Sequence, residues 1–173
     1  MRQKERKEAR KPARSSHVRS ERRPSKKLYA PVNGRIVPLS DIKDPILAQK
    51  LLGEGVAFVF TEDLIYSPCY GTLVMISNDR HAMGIESENG DQVLVNLGLE
   101  EQNQRGRGYH VLVSQGQRVK TGQPIMRLDR AWLDAQDFDL TLAMIVTNRD
   151  PSQFQVFQSE RAVVGRVVVM EKI

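Results

Sequence analysis

Three histidines and one cysteine supply the nucleophilic nitrogen and sulfur atoms of this chain. A neutral imidazole has a ring-nitrogen lone pair that can accept a proton or a phosphoryl group. His81 lies where an apolar strand begins, His110 begins a different strand, and His17 lies in a charged N-terminal segment. Cys69 lies in a turn, where its ordinary role is that of a small buried residue. A lone histidine on a strand is usually structural, so His81 needs a partner before it marks a site.

A hairpin at Asn89-Gly90 supplies such a partner, Asn96. Both turn residues tolerate positive φ, and a two-residue loop there pairs Met83 with Asn96. Directly opposed residues share one face of a sheet. The spacing therefore predicts a face that carries His81, Met83, Asn96 and Gly98. His81 and Asn96 are then diagonal neighbours, or direct ones if a bulge shifts the pairing. Taken alone, a semi-buried asparagine is usually a hydrogen-bonding spacer.

Short apolar runs alternate with turn residues from Tyr29 onward, which is typical of an all-β domain. Two helical signals interrupt them: a proline-started turn at Asp44-Pro45 and a single turn at Ala131–Ala135. The predicted strands are Gly34–Pro38, Ala57–Phe60, Gly71–Ile76, Ala82–Glu86, Gln92–Leu97, His110–Val113, Pro124–Leu128, Ala143–Thr147 and Gly165–Val169.

An internal echo indicates a duplicated β-sandwich. Ala30–Val37 and Ser67–Val74 share a small residue, Pro, two variable residues, Gly, one variable residue and two aliphatic residues, 37 positions apart. Gly116–Ile125 resembles the hammerhead turn of barrel-sandwich domains, which is a structural signal. We therefore expect an antiparallel β-sandwich of the barrel-sandwich, duplicated hybrid motif type with one or two short helices.

The composition divides the chain into a basic arm, residues 1–28, and a mildly acidic body, residues 29–173. Residues 1–27 contain twelve Lys/Arg and three Glu, a net charge of +9, and the remaining residues carry −4. The arm has almost no core-forming residues, so we expect it to be disordered. A solvated tail is its ordinary interpretation, and attraction to an anionic lipid or nucleic-acid surface is the alternative. The single cysteine and the absence of a long apolar segment predict a cytoplasmic protein without a transmembrane segment.

The body resembles the IIA component, glucose/glucoside class, of the bacterial phosphoenolpyruvate-dependent sugar phosphotransferase system. The similarity extends over residues 29 to 172 in matching order and spacing. Its segments are Ala30–Gly34, Asp44–Ala57, Ser67–Gly71, Arg80–Gly84, Leu94–Gly98, Arg105–Tyr109, Gly116–Val119 and Val146–Asn148.

The resemblance implies a shallow site with two histidines. One accepts a phosphoryl group from the phosphocarrier HPr and passes it to a IIB domain, and the other stabilises that group. His81 occupies the stabilising position, and Asn96 occupies the acceptor position. The nitrogen of a carboxamide is delocalised into its carbonyl and is not a useful nucleophile. We therefore expect no phosphate on Asn96, and we predict no cofactor and no metal.

Other positions near the site depart from the family pattern as well. Asn78-Asp79-Arg80 replaces a segment that usually carries Thr, Glu100–Gln104 is more polar than usual, and Arg107 stands where Glu is frequent. The apolar rim that docks HPr and IIB is kept at four positions: Ile46, Leu47, Leu51 and Leu52. The departures together indicate a site that has stopped transferring phosphate.

Four functions remain open from the sequence. The first is a regulatory or protein-binding IIA-like module that is not catalytic. The second is an active phosphocarrier in sugar uptake that uses His81. A zinc peptidase on a related sandwich is disfavoured, because three protein ligands are required and only His81 lies in the right region. Nucleic-acid binding through the arm is the fourth, and it predicts steep salt dependence.

Overall fold

The structure, a computed structural model, describes residues 23–99 and 102–173. The predicted disorder of the arm falls largely on residues 1–22, which lie outside the described residues. The first strand includes Lys27 and Leu28, and Leu28 is buried. Leu28 pairs with Met170, so the last two residues of the predicted arm take part in the first strand.

Within the described residues the chain forms strands, two short α-helices and two 3-10 turns, at Leu39–Asp41 and Pro151–Gln153. The helices are α1 (Pro45–Ala48) and α2 (Arg130–Ala135). The strands are β1 (Lys27–Tyr29), β2 (Gly34–Val37), β3 (Glu54–Val59), β4 (Leu64–Tyr66), β5 (Gly71–Ile76), β6 (Ala82–Ser87), β7 (Gln92–Leu97), β8 (Tyr109–Val111), β9 (Arg118–Val119), β10 (Pro124–Leu128), β11 (Leu142–Val146), β12 (Phe154–Val156), β13 (Arg161–Ala162) and β14 (Val168–Lys172).

The described strands form one large sheet and two small ones, and every pair is antiparallel. The large sheet has the order β13-β2-β3-β11-β7-β6-β5-β9, and the small sheets have the orders β1-β14-β12 and β4-β10-β8. The main core lies between the inner face of the large sheet and the small sheets. This architecture confirms the predicted antiparallel β-sandwich with short helices.

The two echoed segments are related by reciprocal hydrogen bonds. The Tyr29 amide donates to the Pro68 carbonyl at 2.9 Å, and the Tyr66 amide donates to the Pro31 carbonyl at 2.8 Å. Gly34 and Gly71 begin equivalent strands of the large sheet, and a Cβ at either position would lie within 2.3 Å of a neighbouring backbone oxygen. The shared Pro and Gly spacing therefore reflects the same backbone packing in both halves.

A second apolar cluster covers the outer face of the large sheet, which we define as the face away from the main core. Its members come from β2, β3, β11 and the segment between β2 and β3: Val37, Leu39, Ile42, Leu47, Ala57, Ala143 and Ile145, with Leu94 packed against them. Asp44 accepts hydrogen bonds from the amides of Ile46 and Leu47, which fixes the start of α1 over this face. The cluster therefore holds residues 39–47 beside the β7–β11 pair.

No helix in the described part of the chain is long and apolar enough to cross a membrane.

Candidate functional site

The β6–β7 hairpin sets the geometry of the site, and its register differs by one residue from the prediction. Ala82, rather than Met83, lies opposite Asn96. Only Gly90 of the Asn89-Gly90 pair has positive φ, at 74°, so the loop has three residues instead of two. The Ser87 hydroxyl accepts hydrogen bonds from the amides of Asn89 and Asp91, which stabilises the longer loop.

The shifted register places Asn96 on the outer face and Met83 in the main core. The prediction that Asn96 and Met83 share a face is therefore wrong. Ala82 and Ala143 lie opposite Asn96 on the two neighbouring strands. Asn96 is 8% exposed, and its amide Nδ2 donates to the Gly98 carbonyl at 3.1 Å. Asn96 is thus held by one backbone bond between two small side chains.

The chain after β7 is held tightly around Gly98. Gly98 has a φ of 63°, and a Cβ there would lie 2.2 Å from the Asp139 carbonyl oxygen. Gln102 donates from Nε2 to that same carbonyl at 2.7 Å and accepts from the Asp139 amide at 3.0 Å. Gln102 therefore ties the chain after β7 to Asp139, close to the Gly98 carbonyl that accepts the Asn96 hydrogen bond. The sequence had marked Gln102 only as a departure from the family pattern.

His81 lies in the turn before β6, at the same end of the hairpin as Asn96. Its carbonyl accepts from the Leu97 amide at 2.7 Å, so it continues the β6–β7 ladder. Arg80 has a φ of 62°, so regular strand alternation does not set the direction of the His81 side chain. The hairpin brings His81 and Asn96 to one end of the sheet, although no hydrogen bond joins their side chains.

Asp79 is the partner of the His81 imidazole. Its carboxylate forms a short contact with His81 Nδ1 and accepts from the Ser77 hydroxyl at 2.7 Å. A carboxylate on Nδ1 favours the tautomer with hydrogen on Nδ1 and leaves the Nε2 lone pair available. Nε2 has no hydrogen-bond partner among the described residues. Burial raises the pKa of Asp79, but the hydrogen bonds from His81 and Ser77 outweigh it and hold that pKa below its usual value.

We expect Asp79→Asn to lower the free energy of unfolding at pH 7 by about 1–2 kcal/mol, because charge-assisted hydrogen bonds are lost. Since the folded-state pKa of Asp79 is depressed, its stabilisation is complete above the unfolded pKa of about 3.9. The difference between wild type and variant should shrink as pH falls below that value. Urea unfolding of both proteins from pH 7 to pH 2.5 measures this difference, and a difference independent of pH contradicts charge-assisted hydrogen bonding by the Asp79 carboxylate.

Three arginines belong to the Asp79–His81 turn or to the loop around Gly106 that packs on it. Arg80 directly precedes His81, and Arg105 and Arg107 flank Gly106, where a Cβ would lie 2.3 Å from the Asp79 carbonyl oxygen. All three are exposed. The Arg107 guanidinium lies 4.5 Å from the centre of the Trp132 ring, which holds it by a cation–π contact. The loop of Arg105 and Arg107 therefore packs directly on the Asp79–His81 turn.

The predicted docking residues separate into exposed and buried ones. Ile46, Leu51 and Leu52 are 50%, 68% and 42% exposed, whereas Leu47 is 3% exposed in the outer cluster. Adjacent residues of a helical turn point in different directions, and here Leu47 faces the outer cluster whereas Ile46 faces solvent. Leu47 therefore packs in the outer cluster and offers little surface for docking, unlike the other three predicted residues. Met75, which the sequence did not suggest, adds 37% exposed apolar surface opposite Gly84.

The other nucleophile candidates lie apart from this site. His110 is an exposed residue of β8 and pairs with Arg127 in a small sheet. Burial, supported by the charges of Asp91 and Glu88, raises the pKa of the Cys69 thiol to about 12, so the thiolate is scarce at neutral pH. His17 lies outside the described residues. Within the described part of the chain, no three His, Cys, Asp or Glu side chains are placed to hold a metal ion.

A cavity of about 480 Å³ lies away from this chemistry, beside β2, β3 and β12. Ile36, Leu39, Lys50 and Phe154 are among its lining residues, which include neither His81 nor Asn96. His81 and Asn96, the polar residues that the sequence singled out, lie at the open end of the β6–β7 hairpin, opposite its loop, and not in the cavity. We therefore assign the site to the open end of the hairpin.

Asp79 is the site residue whose contribution the sequence did not reveal. The sequence marked it only as a replacement of Thr, yet it supplies the contact that orients His81. The Asp-x-His spacing across a turn is the signal that could have identified the pair. Arg80 and Arg105 were likewise not proposed, and the loop of Arg105 meets the Asp79 backbone only through the packing of Gly106.

Three comparisons with known proteins give consistent matches. The family model described as phosphoenolpyruvate-dependent sugar phosphotransferase system, EIIA 1, matches residues 26–152. Glucose-specific EIIA components of the PTS system from two strains of Staphylococcus epidermidis are 36% identical over 138 residues, which cover 80% of this chain and 83% of theirs. The structure of glucose permease IIA from Mycoplasma capricolum superposes with a TM-score of 0.74 at 26% identity, covering 83% of this chain and 93% of that one.

The matched region includes the β6–β7 hairpin, the Asp79–His81 turn and the loop that carries Arg105. Both the sequence match and the structural match extend over most of the chain. The chain therefore belongs to the EIIA 1 family of the phosphoenolpyruvate-dependent sugar phosphotransferase system.

Proposed function

We propose that this chain is a IIA-like component of the sugar phosphotransferase system that does not accept phosphate at Asn96 and acts as a regulatory or protein-binding module. The observation that carries the proposal is the Asn96 amide, which donates to the Gly98 carbonyl at 3.1 Å. An amide nitrogen that donates in this way has no lone pair for attack on phosphorus. The side chain at position 96 therefore makes a backbone hydrogen bond and supplies no nucleophile.

The partners that fit this proposal are HPr-like and IIB-like proteins, or a target that the module regulates. Ile46, Leu51, Leu52 and Met75 supply exposed apolar surface for docking. The relatives named above are a glucose-specific EIIA component and a glucose permease IIA, which supports glucose as the sugar of the associated transport system.

Phosphoryl acceptance on His81 is the second candidate function. The Asp79 contact favours it, because a carboxylate on Nδ1 makes Nε2 of His81 the more basic and nucleophilic nitrogen. In that reaction Nε2 attacks the phosphorus of phosphorylated HPr, the bond from phosphorus to the carrier breaks, and the phosphoryl group passes on to a IIB domain.

Intact mass spectrometry after incubation with phosphoenolpyruvate, enzyme I and HPr distinguishes the two candidates. We expect the wild-type chain to show no acid-labile adduct of about 80 Da, the mass of one phosphoryl group. A stoichiometric adduct that disappears in His81→Ala and persists in the matched variant His110→Ala overturns the proposal and establishes the second candidate.

A further inference from the structure

We propose that a second site, separate from the β6–β7 hairpin, binds a phosphorylated sugar at two paired arginines, Arg35 of β2 and Arg161 of β13. The two residues lie directly opposite each other on neighbouring antiparallel strands and line one cavity of about 630 Å³. The phosphate group of the ligand would lie between the two guanidinium groups, and Thr61 and Glu62 would contact the sugar hydroxyls. The choice of a sugar as the phosphate carrier rests on the proposed function, whereas the anion site itself does not.

The opposition of two like charges points to an anion site on these strands. Directly opposed side chains of an antiparallel pair lie on one face with their Cβ atoms about 5 Å apart, and like charges placed so are destabilising. Arg35 and Arg161 are exposed, and neither forms an ion pair within the described residues. An anion bound between the two guanidinium groups would relieve their repulsion.

The neighbouring side chains leave this positive charge uncompensated. Arg35 also lies opposite Val59 of β3, so the row of opposed residues across β13, β2 and β3 contains no carboxylate. Glu62 is the acidic residue among the described residues that line the cavity, and its Oε2 accepts from Asn33 Nδ2 at 2.9 Å. Two arginines and one glutamate give this lining a net charge of +1.

Asn33 fixes the walls of the cavity. Its Nδ2 holds Glu62 in the loop after β3, and its Oδ1 accepts from the Val164 amide, in the segment after β13, at 2.9 Å. Gly34 packs so closely on β3 that a Cβ there would lie 2.3 Å from the Val59 carbonyl oxygen. The backbone that carries the two arginines is therefore in place before a ligand arrives, which lowers the ordering cost of binding.

The chemistry of the lining suits a phosphate ester that carries hydroxyl groups. A planar guanidinium group fits phosphate oxygens, and a phosphate monoester carries about −1.5 to −2 charges at neutral pH. The Thr61 hydroxyl and the Glu62 carboxylate supply hydrogen-bonding groups in the same lining. In a sugar phosphotransferase system the phosphoryl group ends on a sugar, so a phosphorylated sugar is the ester of this class that the proposed function supplies.

The arginine pair is distinct from the hairpin site. β3 and β11 lie between β2 and β7 in the order of the large sheet. At a strand spacing of about 4.8 Å, β2 and β7 are about 14 Å apart. The cavity lining includes neither His81 nor Asn96. A ligand at the arginine pair would therefore leave position 96 unoccupied.

Amide NMR of the isotope-labelled full chain tests the inference, with glucose 6-phosphate, inorganic phosphate and glucose titrated in separate arms. We expect glucose 6-phosphate to bind about tenfold more tightly than inorganic phosphate, because the hydroxyl contacts add to the phosphate contacts. Glucose should not bind at concentrations up to about 10 mM, since it lacks the anion. The largest shifts should occur at the amides of Gly34, Arg35 and Ala162 and not at Gly98.

Glutamine variants test the two arginines, because they remove the charge at nearly unchanged length. Arg35→Gln and Arg161→Gln should each weaken glucose 6-phosphate binding about tenfold or more. The matched variant Arg127→Gln, at an exposed arginine of β10 in a small sheet, should leave binding unchanged. Glu62→Gln should reduce the preference for glucose 6-phosphate over inorganic phosphate about threefold, because it weakens a hydroxyl acceptor and removes a charge that repels phosphate.

The inference is overturned if glucose 6-phosphate at about 10 mM leaves the Gly34 and Ala162 amides unshifted, or if both arginine variants bind it as the wild type does. Inorganic phosphate or glucose that binds as tightly as the ester overturns the choice of ligand, as does an unchanged preference in Glu62→Gln. No binding by a chain that the intact-mass test finds unmodified means that this inference alone has failed. A phosphoryl adduct in that test, with glucose 6-phosphate still bound, means that the proposed function alone has failed.

Discussion

Asn96→His is expected to carry about one phosphoryl group per molecule, whereas the proposed function predicts none on the wild-type chain. The substitution restores the single atom that the proposed function identifies as missing, a ring nitrogen with an available lone pair. It is a gain of function, so misfolding of the variant cannot imitate the expected result.

The surroundings of Asn96 are suited to an imidazole ring. Ala82 and Ala143 are the opposed residues on either side, so the neighbouring side chains are methyl groups. The Asn96 Nδ2 and a histidine Nδ1 are both attached to Cγ, and Nδ1 can donate to the Gly98 carbonyl as Nδ2 does at 3.1 Å. That bond fixes the tautomer and leaves Nε2 as the nucleophile.

The adduct is measured by intact mass with phosphoenolpyruvate, enzyme I and HPr, as an increase of about 80 Da that is lost in acid. Asn96→Gln is the matched control, because it keeps an amide and adds no lone pair, and it should remain unmodified. Adding His81→Ala to Asn96→His should slow phosphorylation by about 10²–10³-fold, because a preorganised group beside the phosphoryl oxygens is removed. An unmodified Asn96→His protein that folds normally argues against position 96 as the lost acceptor.

Asp91→Ala is expected to lower the free energy of unfolding by about 3 kcal/mol, or Tm by about 6–12 °C. The Asp91 side chain is 4% exposed, and its Oδ1 accepts from Arg149 Nε at 2.7 Å and from Lys172 Nζ at 3.1 Å. These contacts tie the site hairpin to the segment after β11 and to β14. Removing the carboxylate leaves two partly buried cations without their anion.

Thermal and urea unfolding measure this effect. Glu88→Ala is the matched control in the same turn, since Glu88 pairs at 3.1 Å with Arg118, whose side chain is 66% exposed. Exposed pairs of this kind contribute less than about 1 kcal/mol. A double-mutant cycle of Asp91→Ala with Arg149→Met isolates the pair, because the two losses should not add. Equal effects of Asp91→Ala and Glu88→Ala would refute the importance of burial.

The sheet architecture follows closely from local patterns. The predicted limits of Gly71–Ile76, Gln92–Leu97 and Pro124–Leu128 are those of β5, β7 and β10. Pro45 after Asp44 marked α1, since Asp caps the first amides and Pro fits the first turn. These features depend on a residue and its neighbours in the chain. The strands β1, β4, β9, β12 and β13 were not predicted, because two or three residues carry too little periodicity.

The residue types at positions 81 and 96, and with them the central question of phosphate acceptance, are readable from the chain alone. The face on which Asn96 lies is not, because the Ser87 hydroxyl and the single positive φ at Gly90 lengthen the hairpin loop by one residue. A shift of the pairing register by one residue moves every side chain of a strand to the other face, so the conformation of this loop decides on which face Asn96 lies. Leu47 is buried, and the loop of Arg105 meets the Asp79 backbone, through packing between segments that are distant in sequence. The Asp79–His81 contact depends on the shape of a turn. No local sequence pattern encodes these features.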